Sequence, residues 1–102
     1  MVIDVDLRAA PAAVLLVEPE DFGAFKIMAR GSAAKLASAV GRFGRVTDDG
    51  HVLVDVAALR VLAGERGRDR EWLASLDAMV EYARSRGWTD GGAIRGHVQW
   101  NA

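Results

Sequence analysis

Cysteine is absent from these 102 residues. Disulfides, thiolate catalysis and cysteine-bound zinc are thereby excluded. Histidine occurs only as His51 and His97, and no HxH, HxxxH or HxxE spacing gives either one neighbouring ligands. A metal site, which normally draws on three or four protein ligands, is not expected. No GxxxxGK[ST] loop, no helix-opening GxGxxG and no GxSxG elbow is present, so no phosphate-bound cofactor and no serine nucleophile is indicated. Apolar runs are short, far below the roughly 20 residues of a membrane span. No excess of one charge exists either. The net charge is −1, with neither a basic nor an acidic tail, which gives no electrostatic reason to expect nucleic acid or a membrane surface as partner. The opening stretch MVIDVDLRAAP lacks the basic and apolar regions of a secretory signal, so the expected compartment is the cytoplasm.

What is present is the composition of one ordinary globular domain, 51% hydrophobic and 26% charged. Its clearest stretch is Asp69 to Trp88. Trp72, Leu76, Met79, Val80 and Ala83 recur at steps of three and four and share one helix face. Asp69 is placed to cap the first turn, Glu71 and Arg84 complement the dipole, and Gly87 can take the left-handed stop. The spacing predicts a helix over 69–87, with Trp88 folding back on its last turn near Tyr82 or Ala83.

The remaining chain alternates strands and shorter helices. In residues 1–12, Ile3, Val5 and Leu7 alternate with Asp4 and Asp6, which suits an edge strand and a frayed start equally. Residues 13–102 are expected to form a single α+β domain. Ala13 to Glu18 is an apolar run suited to a strand covered on both faces. Ala24 to Arg30 alternates, and the short loop at Pro19 predicts an antiparallel hairpin between the two. Ser32 caps a small-faced helix through Val40, with Phe43 plugging its exit. Asp49-Gly50 predicts a two-residue hairpin turn between Arg45–Asp48 and His51–Val54. Asp55 opens a short helix over 56–63, and a polar connector leads from it into the long helix. Ile94 to Trp100 alternates as a last strand. The fold class is therefore α+β: a mostly antiparallel sheet of about five strands, with three helices packed over one face.

Two functions are compatible with this. One is association, with a second copy or another protein. Trp100, on an expected edge strand with Val98, is the candidate interface residue. The other is a ligand site or small enzyme on the wet sheet face. Arg95, His97 and Gln99 share one side of the last strand. If Lys26, Arg30 or His51 reach the same side, the floor they form suits a small anionic ligand.

Overall fold

The computed structural model describes residues 1–101. The elements are β1 (Val2–Asp6), β2 (Ala13–Val17), β3 (Lys26–Arg30), α1 (Leu36–Val40), β4 (Gly44–Val46), β5 (Val52–Asp55), α2 (Val56–Leu62), α3 (Arg70–Ser85), β6 (Thr89–Asp90) and β7 (Ala93–Trp100). Turns of 3-10 helix lead into α1 at Ala33–Lys35 and into α3 at Gly64–Arg68. The class is α+β, with three α-helices among the described residues.

The sheet is mixed, with two parallel pairings beside the antiparallel majority, and among the described residues it has seven strands rather than about five. Its order is β2-β1-β3-β7-β5-β4, with β6 paired to β7 off this path. β1 and β3 are parallel, as are β3 and β7, while the other four pairings are antiparallel. β1 neither frays nor lies at an edge. It runs between β2 and β3, and Met1, Ile3, Val5 and Leu7 are all buried beneath it. Those four apolar side chains on one face are the reason: a strand carrying them is stable only where the core can close over it. The expected β2–β3 hairpin is consequently absent, because β1 occupies the place between them.

β2 also departs from expectation. It is an edge strand, not one covered on both faces, and Ala13, Leu15 and Val17 point to solvent. The Asp49-Gly50 turn falls where predicted but with a three-residue loop. Thr47 N–H donates to His51 O and Gly50 N–H to Thr47 O, and of the loop residues only Gly50 is left-handed, at φ 81°. This is a type I turn followed by a glycine bulge, not the two-residue I′ turn, which needs positive φ twice.

The helices lie over one face. Ile3, Val5, Ile27, Ala29, Val54, Ile94 and Val98 form one cluster with Leu36, Val40, Leu59, Trp72, Leu76 and Met79. α2 touches both β2 and β5, so the sheet curls around it. α3 matches its signals closely. The Asp69 carboxylate accepts from Glu71 N (2.8 Å) and Trp72 N (3.2 Å). At the other end Gly87 stands at φ 77°, Gly87 N–H donates to Arg84 O, and Trp88 N–H donates to Ala83 O at 2.9 Å. This is a Schellman stop. It sets the Trp88 ring 6.0 Å from Tyr82. Trp72 Nε1 donates to Pro19 O at 2.8 Å, pinning the loop before β3 to the helix. Ser32 and Asp55 stand at the starts of the 3-10 turn and of α2, but neither makes a side-chain capping bond. No described helix is long and apolar enough to cross a membrane.

Candidate functional site

The face of the sheet away from the helices carries the polar residues singled out above. Strand alternation sends Lys26, Met28 and Arg30 outward from β3, and Arg95, His97 and Gln99 outward from β7. The parallel register sets Lys26 beside His97 and Met28 beside Gln99. Lys26 Nζ donates to Gln99 Oε1 at 3.0 Å. His51, entering β5, brings its ring to 5.6 Å from that of His97, edge to face. Four of the six expected residues, Lys26, His51, His97 and Gln99, thus form one group.

The other two lie apart from it. Arg30 is at the far end of β3, tied to Asp4 at 3.2 Å. Arg95 is at the near end of β7, opposite Leu53.

Electrostatically, most of this face is already neutralised. Arg30 pairs with Asp4, Arg8 with Asp6 at 2.9 Å, and Arg45 with Asp90 at 2.6 Å. The Asp6 carboxyl is held down to about 2, chiefly by its hydrogen bond from the Arg8 side chain. Asp49 is also held down to about 2. Thr47 Oγ1, which donates to the carboxylate, contributes most, and His51 adds to it. His51 Nδ1 stands 3.2 Å from Asp49 Oδ1, but off the line a hydrogen bond requires, and its nitrogen has no other partner. Among the described residues no group of three metal-ligating side chains converges.

Among the arginines of this face, Arg95 stands outside the pairing. No described residue gives its guanidinium a hydrogen bond or an ion pair. It stands at a break in the sheet. β6 pairs with β7 only at Ala93 and Ile94, and β3 pairs with β7 only from His97 onward. Between them the edge of β7 at Arg95 and Gly96 has no strand beside it, although Arg95 N–H donates to Trp88 O at 2.8 Å. Phe22, Phe25, Tyr82, Trp88 and Met79 close around this notch, leaving about 110 Å³. A shallower hollow of about 430 Å³ lies across the Trp88 and Arg95 side chains, with Asp48, Asp49 and Asp90 on its rim.

The expected interface residues separate. Val98 is buried in the core and cannot meet a partner. The reason is strand parity, since β7 turns its even-numbered residues toward the helices. Trp100 is 44% exposed, but β7 is an interior strand rather than an edge. The exposed apolar residues that the sequence reading did not single out are Leu15, Val17 and Val61. The signal for the first two was the uncharged run Ala13–Val17 itself. No family model, no curated protein and no solved structure matches the chain.

Proposed function

We propose that this chain is an association module that adds a second copy of itself along β2. The observation carrying this is the character of that edge. β2 holds five apolar residues and no charge. One side bonds to β1, and among the described residues the backbone of its other side bonds to nothing. Leu15 is 56% exposed and Val17 37%. Edge strands left open are usually blunted by a lysine, a bulge or an inward charge, and none of these interrupts Ala13–Val17. Such a composition belongs to a strand with neighbours on every side.

A two-fold axis through Leu15 suits the edge. It aligns Ala13 with Val17 of the second copy and stacks Leu15 on its own equivalent. One position further out, Ala12 meets Glu18. Arg42 Nη2 donates to Ala12 O, so its guanidinium would stand close to the Glu18 carboxylate of the second copy, and symmetry gives the contact twice. Val61, 80% exposed on α2 and sharing a hollow with Val14, extends the apolar surface beside the edge.

Light scattering and sedimentation over a range of concentrations test this reading. The expectation is a dimer with a dissociation constant on the order of 1–100 μM, since a five-residue strand pair buries less than a standard interface. Leu15→Lys is expected to return the chain to a monomer with its fold unchanged. A wild-type chain that stays monomeric at millimolar concentration would rule the reading out.

A further inference from the structure

We infer that the notch between β6 and β3 is a binding site for a small apolar carboxylate, with the carboxylate held by Arg95 and the apolar group seated among Phe22, Phe25, Tyr82 and Trp88. This rests on the break in the sheet and not on the β2 edge, so it stands or falls apart from the proposed association.

Three observations carry it. First, the notch is built rather than incidental. Gly96, next to the lining residue Arg95, has no side chain, and a Cβ there would stand 3.0 Å from Phe25 Cε2 and 2.3 Å from Ile27 Cδ1. Ile27 and Phe25 close on the strand here because no Cβ stands in their way. A glycine inside a strand commonly marks such a close approach. Trp88 is fixed from the other side by the helix stop and by the bond from Arg95 N–H to its carbonyl.

Second, the lining is aromatic and apolar, with a single charged group, Arg95. Concave sites for small ligands have this character, an apolar wall with few polar groups to set orientation. The volume limits the occupant. An apolar cavity of about 150 Å³ admits a benzene ring. A notch of about 110 Å³ that opens to solvent at one side takes a phenyl ring with its edge exposed, or a branched chain of about four carbons.

Third, Arg95 is the arginine of this sheet that holds no aspartate among the described residues. Arg8, Arg30 and Arg45 each hold an aspartate. A guanidinium presents a planar fork that matches a carboxylate with two parallel bonds. Arg86 does not compete for this place, because its guanidinium lies over the Trp88 ring at 5.4 Å from the centroid. Phosphate would satisfy the charge but not the aromatic wall. An uncharged aromatic would do the reverse. A carboxylate carried on a ring or branched chain satisfies both.

The test uses the full chain labelled with ¹⁵N and titrated with benzoate, benzyl alcohol, acetate and inorganic phosphate. Benzoate is expected to shift the amides of Phe25 and Arg95 and the indole of Trp88 along one saturable curve. The other three probes should bind at least tenfold more weakly. Arg95→Gln, at an exposed side chain with no partner to lose, is expected to weaken benzoate roughly tenfold or more, the cost of a charged hydrogen bond. Ala24→Phe, on the exposed loop lining the notch, is expected to fill it and abolish the shifts while the rest of the spectrum stays in place. Three results would overturn the site: no saturable benzoate shift up to about 10 mM, equal binding to Arg95→Gln, or shifts confined to other parts of the chain.

Discussion

Phe25 and Ile27 both close on Gly96, where a methyl group would stand 3.0 Å from the Phe25 ring and 2.3 Å from Ile27 Cδ1. The two sides of this contact differ in their freedom. Phe25 is half-buried and can swing outward, but Ile27 is fully buried and has nowhere to go. Gly96→Ala is therefore expected to lower stability by about 1–3 kcal/mol, as overpacking a closed core does. Urea unfolding measures it. A variant as stable as the wild type would mean that Ile27 has space the packing does not reveal.

Trp72 joins α3 to the loop before β3 through its indole N–H on Pro19 O. Trp72→Phe keeps most of the ring area and removes the donor, leaving Pro19 O without that bond. A loss of about 1–3 kcal/mol is expected. Hydrogen exchange should also speed in the 19–25 loop more than in α3. Uniform loosening of both would show that the indole bond does not hold the loop.

The cap at Asp69 predicts a smaller change. Asp69→Ala leaves two first-turn N–H groups without their acceptor, for a cost of about 0.5–2 kcal/mol. Asp69→Asn, which still accepts, should recover most of it. Midpoints of thermal or urea unfolding compare the three chains, and an asparagine variant no better than alanine would argue against the capping role.

Acid sensitivity follows from Asp6 and Asp49. Both carboxyls lie below their ordinary value of 3.8 in the folded chain, at about 2. A depressed folded pKa contributes stability that is present above the unfolded value and lost as pH falls through the folded one. Stability is thus expected to decline between about pH 4 and pH 2. Asp6→Asn and Asp49→Asn together should flatten that decline, as read from urea midpoints at each pH. The Asp6 part should shrink in about 0.5 M salt, because its pair with Arg8 is open to solvent. An undiminished slope in the double variant would assign the acid loss to other carboxyls.

The features legible in the sequence were those decided by near neighbours. α3 was written out in full by Asp69, the repeat of Trp72, Leu76, Met79 and Ala83, and Gly87, because cap, stripe and stop all act within one or two turns. The outward side of β7 was equally plain from the alternation of Arg95, His97 and Gln99. What could not be read was adjacency. The short loop at Pro19 favoured a β2–β3 hairpin on local grounds. The burial of Ile3 and Val5 decided otherwise, by requiring a strand on each side of β1. The site behaved the same way. Strand parity gathered Lys26, His97 and Gln99 as expected, but the notch at Arg95 depends on where β6 ends and β3 begins along β7. β6 is two residues long and carries no pattern of its own. Gly96 inside an alternating run was the one local hint of a close approach there.

β7 also has a consequence for assembly in time. Among the described strands it alone touches both halves of the sheet, β3 on one flank and β5 on the other, and it follows every other described element. As the polypeptide emerges during synthesis, the β1–β2–β3 ribbon and the β4–β5 hairpin have no strand pairing to each other until β7 arrives, and the β3–β7 pairing spans some seventy positions of sequence. Closure over so long a loop is slow. The interval leaves the β3 edge uncovered in the nascent chain.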